Sequence, residues 1–274
     1  MILEDLAAEF VDGADLNAMI PMVKEQKNKI PTLPIGDIEE KIKHFQFNPI
    51  NITIGIRQRD VFKLSDYISP ASARNIWIVT RGRSGSSFLG DMLSRYPGTF
   101  YSFEPLHYRD GIIKEYNNLV KQVFKCTPKA KYFEHAKEWG ASLKRNFRLW
   151  NICQRLLRNN KACFIPQLYH ETCPLFPIRL VKTIRFPFEK VETFLLDSEF
   201  KKSLKIVFLF RDPRGVFQSL INKTKWWSEG QCDRLSYLKS CNMSTVCNMM
   251  ETDATAAIKL KEKYPGKKSF DVLV

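Results

Sequence analysis

Residues 75–108 read NIWIVTRGRSGSSFLGDMLSRYPGTFYSFEPLHY, and the fold turns on how this stretch divides. Ile76, Trp77, Ile78 and Val79 form a short apolar run rich in β-formers, which breaks into a glycine- and serine-rich turn. Phe88, Leu89, Met92 and Leu93 then recur at helical spacing and predict one apolar helix face. The order is strand, loop, helix. A helix N-terminus presents amides without intrahelical partners and the positive end of the helix dipole, which makes the loop a candidate anion site. Gly85 can take φ > 0 and lets a ligand approach the chain, Ser84, Ser86 and Ser87 add hydroxyls, and Arg81 and Arg83 add permanent charge. The spacing is not GxxxxGK[ST], so a lysine on a terminal phosphate and a hydroxyl on magnesium are not indicated. That speaks against an ATPase or a simple kinase. Taken alone, the turn reads equally as a helix capped by its serines beside solvated arginines.

A second stretch breaks the tie. Leu204–Leu220, LKIVFLFRDPRGVFQSL, opens on the continuous apolar run Ile206–Phe210, as for a strand covered on both faces of a parallel sheet. It ends in RDPRG, where Pro213 suits a first helical turn, Asp212 can cap it, and Val216, Phe217 and Leu220 continue an apolar face. Two strand-loop-helix units with basic loops are thus expected at the carboxyl edge of one sheet, where such folds bind ligands. Two anion sites imply a ligand with two separated anionic groups.

RGRSGSSF, the FEPL that follows it, and LFRDPRGVFQS together resemble the Golgi carbohydrate sulfotransferases that sulfate the 6-hydroxyl of galactose, GalNAc or GlcNAc. The resemblance runs from about Asn75 to the end of the chain. It implies an α/β, P-loop-like three-layer fold with a central parallel sheet flanked by helices, and PAPS (3′-phosphoadenosine 5′-phosphosulfate) as cosubstrate. By resemblance, the first motif binds the 5′-phosphosulfate through Arg83, Ser84, Gly85, Ser86, Ser87 and Phe88, with Arg81 and Gly82 beside them. The second offers Arg211 and Ser219 to the 3′-phosphate. A glycan or glycosaminoglycan is the implied acceptor, and the Golgi lumen the implied location.

Sulfuryl transfer needs a base for the acceptor proton, and a carboxylate or imidazole near the phosphosulfate loop can serve. Glu104 is the first candidate and His107 the second, Arg83 being the third catalytic residue, set against developing charge on the departing phosphate. The alternatives are a salt bridge from Glu104 to an arginine and a packing role for His107. In PIRLVKTIRF, residues 177–186, an apolar strand carries Lys182 and Arg185, which the resemblance places close to the active site. No metal is required, because cations and amides already cover the transferred group.

The remaining chain sets limits. At 274 residues and 44% hydrophobic it can bury a sizeable core, and a net charge of +14 points to a polyanionic partner, the alternative being a basic surface with no dedicated partner. No zinc finger, RRM or other nucleic-acid module is recognisable, so nucleic acid is not the expected partner. Residues 1–70 read as an N-terminal extension or stem remnant and 71–274 as a sulfotransferase domain. No apolar run approaches a membrane span and no signal peptide is present. Relatives in the family are type II membrane proteins, so membrane association is expected only through an N-terminal anchor not seen in this sequence. Equally, the family's C-terminal part does not follow Ser269–Val274, a final strand in this reading, so the chain looks truncated at both ends.

Residues 112–160 predict two or three helices covering the acceptor cleft, with Lys121, Lys125, Lys129, Lys144, Arg145 and Arg148 on a solvated or glycan-steering face. Trp139 and Trp150 stack on sugars or fill core, and Trp226–Trp227 form a pair in a polar loop. PFEKVETFLLDSEF predicts a helix opened by Pro187, and Val246–Lys263 a further helix. Seven cysteines contain no CxxC pair, which leaves zinc unsupported; Cys232, Cys241 and Cys247 cluster where a disulfide would suit an oxidising lumen. Sequons at Asn51, Asn222 and Asn242 point the same way. Two other classes remain open: a nucleotide-dependent phosphotransferase, and an inactive PAP- or glycan-binding relative.

Overall fold

The computed structural model describes residues 73–96, 98–107, 113–139, 141–156, 160–200, 202–223, 243–264 and 270–273. β1 (Arg74–Thr80), β2 (Thr99–Phe103), β3 (Ile178–Thr183), β4 (Leu204–Leu209) and β5 (Phe270–Leu273) form one sheet in the order β2-β3-β1-β4-β5. Every pairing is parallel. A parallel sheet must be covered on both faces: β3 is buried throughout, β1 from Asn75 onward, and β4, the unbroken apolar run, at Leu204 and from Ile206 to Phe208.

The two faces separate by strand parity. On one, Ile76, Ile78, Tyr101, Phe103, Ile178, Leu180 and Val207 pack against Leu89 of α1 (Ser86–Ser94). On the other, Trp77, Val79, Phe100, Val181, Ile206 and Phe208 meet α2 (Ile113–Phe124) and the later helices in the main core. Trp77 is fully buried there, its indole N–H donating to Thr183 Oγ1 at 3.0 Å. Helix, sheet, helix is a three-layer α/β architecture.

α1 corrects one expectation. Leu89 faces the sheet with Leu93 packed beside it, but Phe88 is 76% and Met92 44% exposed, so the four apolar residues fall on two faces rather than one. Gly90 explains how close the inner face lies: a Cβ there would sit 2.1 Å from Tyr101 Oη.

Between β2 and β3 run α2, α3 (Ala130–Trp139), α4 (Ala141–Lys144), α5 (Phe147–Asn151), a π turn at Ile152–Leu156, a 3₁₀ turn at Asn160–Phe164 and α6 (Pro166–Thr172). These are more and shorter pieces than two or three helices, and Val120, Phe124, Phe133 and Leu149 bind them into the main core. Arg148, expected on a solvated face, is buried because it donates to the Tyr96 and Thr99 carbonyls beyond the end of α1. The predicted helix after Pro187 is a 3₁₀ turn, Phe188–Lys190, followed by the short α7 (Glu192–Leu196). α8 (Pro213–Lys223) follows β4, and α9 (Met243–Lys263) packs on it through Val246 and Met250 against Val216 and Leu220.

Among the described residues, disulfides join Cys126 to Cys173 and Cys153 to Cys163, while Cys247, one of the three cysteines expected to cluster, is a free thiol on α9. Cys232, Cys241, Trp226, Trp227, Asn51, Asn242 and residues 1–70 lie outside the described residues, as does the side chain of Asn222. Among the described residues no helix is long and apolar enough to cross a membrane.

Candidate active site

β1 and β4 are neighbours, but the chain leaves β1 towards β2 on one side and β4 towards β5 on the other. Their diverging carboxyl ends open a crevice, the place where doubly wound sheets bind ligands. Thr80, Arg81 and Ser84 line it from the β1 loop, and Leu209 and Arg211 from the β4 loop.

The β1 loop turns sharply. Arg83 has φ 68° and Gly85 φ 93°, so the left-handed backbone expected at the glycine occurs there and two residues earlier. Gly85 is also the N-cap of α1, and no serine side chain caps that helix. Ser84 is buried with its Oγ unpartnered, Ser86 is buried, and Gly82 and Ser87 are half-buried. A buried hydroxyl without a partner at a helix N-terminus is suited to an incoming oxyanion.

Across the crevice the two basic loops are tied together. Arg83 Nε donates to Ser219 Oγ on α8 at 2.9 Å, and Arg211 Nη1 donates to the Arg83 carbonyl at 3.0 Å. Asp212 caps α8 through the Arg214 amide at 2.8 Å, and the Arg214 side chain with that amide holds its carboxyl down to about 2. The structure thus brings Arg83, Arg211 and Ser219 into one cluster. Arg81 is engaged elsewhere, in a two-point contact with Asp253 of α9 at 2.5 and 2.8 Å. Phe88 stands outside the loop, exposed on the outer side of α1.

The second group lies towards β2. Phe103 and Lys182 are register partners, so Glu104, the first residue past β2, falls beside Lys182. Glu104 N–H donates to the Lys182 carbonyl at 2.9 Å, and the two side chains form a buried ion pair. The arginine salt bridge weighed as an alternative for Glu104 is replaced by this lysine. Lys182 Nζ lies 3.5 Å from Ser87 Oγ, which links the pair to the anion loop. His107 Nδ1 is 3.6 Å from Glu104 Oε2, and its ring stacks on Trp139 at 3.5 Å. Trp139 also stacks on Phe103, so its faces pack against protein; Trp150 meets Phe164 edge-on. Arg185 donates to the Leu106 and His107 carbonyls and fixes the turn.

Burial alone would raise the Glu104 carboxyl, but the contact with His107 and the Lys182 ammonium outweigh it and leave it below the ordinary value. Burial pushes the Lys182 ammonium down, and Glu104 opposes that shift. Arg145 adds repulsion on the ammonium and Asp91 opposes it. Glu104 is therefore ionised at neutral pH, and can accept a hydrogen bond or a proton.

Two residues of this neighbourhood were under-read in the sequence, though each leaves a signal. Lys182 is, with Arg179, one of two charges inside a fully buried strand, and each requires a buried partner. Asp253 is a lone carboxylate on the inward stripe Val246, Met250, Asp253, Ala257, Leu260 of α9. Among the described residues no group of three His, Cys, Asp or Glu is placed to hold a metal ion.

No family model matches the chain. Among curated proteins, carbohydrate sulfotransferase 5 of Mus musculus is 27% identical over 173 residues, covering 53% of this chain and 43% of that protein. Carbohydrate sulfotransferase 6 of Homo sapiens is 25% identical over 182 residues, or 55% of this chain and 45% of that protein. The chain therefore spans less than half the length of the relatives it matches. Both relatives are named carbohydrate sulfotransferases, the class that the motifs at residues 81–88 and 204–220 resemble.

Proposed function

We propose that this chain moves a sulfuryl group from PAPS to a sugar hydroxyl of a glycan, the 6-hydroxyl of galactose, GalNAc or GlcNAc being the acceptor position implied by the resemblance, and that it works in the Golgi lumen. The observation that carries the reading is the bridge between the two basic loops, Arg83 to Ser219 and Arg211 to the Arg83 carbonyl. It joins two basic loops, which supports a cosubstrate carrying a phosphosulfate at one end and a 3′-phosphate at the other. Similarity to two carbohydrate sulfotransferases supports the same class.

PAPS supplies the activated sulfuryl group. Arg83, Ser84, Ser86, Ser87 and the first amides of α1 hold its 5′ end and stabilise charge building on the leaving phosphate. Arg211 and Ser219 hold the 3′-phosphate, which fixes the cosubstrate at both ends. As the acceptor oxygen bonds to sulfur and the bond from sulfur to the phosphate oxygen breaks, the acceptor proton passes to Glu104. Lys182 and His107 keep that carboxylate ionised and oriented. The charge of +14 draws in the anionic cosubstrate and an anionic glycan.

The direct test is transfer of labelled sulfate from PAPS to a panel of galactose-, GalNAc- and GlcNAc-terminated glycans. Labelled product on at least one acceptor is expected. A sample that binds PAP and labels none of them would leave a binding protein and remove the enzymatic assignment.

A further inference from the structure

We propose that Arg81 and Asp253 are positioning residues, a part-buried clamp through which α9 sets the shape of the anion loop, and that Arg81 does not itself contact the cosubstrate. This rests on the reading of the loop as the 5′-phosphosulfate site. Arg81 is the first residue after β1, and as a free side chain it would be the cation closest to the root of the loop. Instead its guanidinium meets Asp253 at two points, 2.5 and 2.8 Å, with the side chains 14% and 3% exposed. Bidentate pairing fixes orientation as well as distance, and a carboxylate this deep persists only with a partner. Asp253 occupies an inward position of α9 where an apolar residue would satisfy packing, so the charge is not there to fill space.

α9 reaches the second loop as well. Met250, one turn before Asp253, packs with Val216 and Leu220 of α8, the helix that carries Ser219. One helix thus touches both halves of the site, gripping the β1 loop by an ion pair and α8 by an apolar seam. Ser84, with its unpartnered buried Oγ, lines the same crevice as Arg81 and Asp253, so a shift of Arg81 moves a hydroxyl set at the ligand's position.

The 274-residue chain is titrated with PAP, adenosine 5′-phosphate and adenosine 3′-phosphate, as wild type, Asp253→Asn and the double variant Arg81→Ala/Asp253→Ala. Asp253→Asn removes a negative charge beside an anion site. If Arg81 were a direct ligand, its release would leave binding equal or tighter. A positioning role gives the opposite sign: PAP and the 5′-phosphate weaken about tenfold or more, while the 3′-phosphate stays within about twofold. The double variant keeps the formal charge and should lose a similar amount, because both changes break one contact. The 3′-phosphate also reports whether a variant is folded. Unchanged or tighter PAP binding by Asp253→Asn overturns the proposal, and so does an equal loss for both monophosphates, which marks a general packing role. A wild-type chain that does not bind PAP would instead overturn the underlying reading, and this proposal with it.

Discussion

Glu104 concentrates several constraints in one residue. It takes φ 45°, and with Arg83 at 68° it is one of the few non-glycine residues in the left-handed region among those described. Each such residue costs about 1–3 kcal/mol and persists where its surroundings hold it, here the main-chain bond to Lys182 and the buried ion pair. If Glu104 accepts the acceptor proton, Glu104→Gln should cut transfer about 100-fold or more and leave PAP affinity within about twofold. Equal loss of binding and transfer would make it a cosubstrate ligand instead. The depressed carboxyl also sets a pH dependence. The folded-state value lies below the ordinary 4.5, so the stabilisation is complete above that value and is lost as pH falls through the lowered one. Thermal melts from about pH 6 to pH 3 should show this acid limb in the wild type and a flatter one in Glu104→Gln.

At the scale of elements, α1 ties the anion loop to the sheet by close approach. Tyr101 is buried at the point where a Cβ on Gly90 would strike its hydroxyl, and a ring held on all sides cannot swing clear. Gly90→Ala should therefore cost about 1–3 kcal/mol in denaturant unfolding, and a loss under about 0.5 kcal/mol would mean that α1 shifts freely. The elements legible in the sequence were those with a strong period: the apolar strands β1, β3 and β4, the loops closing β1 and β4, and α9. Sequence could not resolve the two-sided α1, because Phe88 with Met92 and Leu89 with Leu93 pair off i, i+4 onto two adjacent faces, of which only the second meets the sheet. Nor did it show the broken helices after Lys125, which packing rather than local periodicity holds in place. Glu104 was visible as a candidate, whereas its pairing with Lys182 depends on strand register across 78 residues of chain. The disulfides Cys126–Cys173 and Cys153–Cys163 likewise follow from the fold and not from spacing.

Over the whole molecule, one parallel sheet brings two basic loops to a common edge, and side chains from each cross to the other. The chain's net charge of +14 favours anionic ligands, and on the proposed reading the two loops together take one with two anionic groups. Two disulfides within the main layer suit the oxidising lumen proposed for it. The most direct measurement is a calorimetric titration of the wild-type chain with PAP, adenosine 5′-phosphate and ATP, repeated with Arg211→Ala. Engagement of both loops should make PAP bind about tenfold or more tightly than either competitor, and Arg211→Ala should weaken PAP by roughly 2 kcal/mol with little change for the 5′-phosphate. PAP binding no tighter than ATP, or untouched by Arg211→Ala, would contradict the two-loop site.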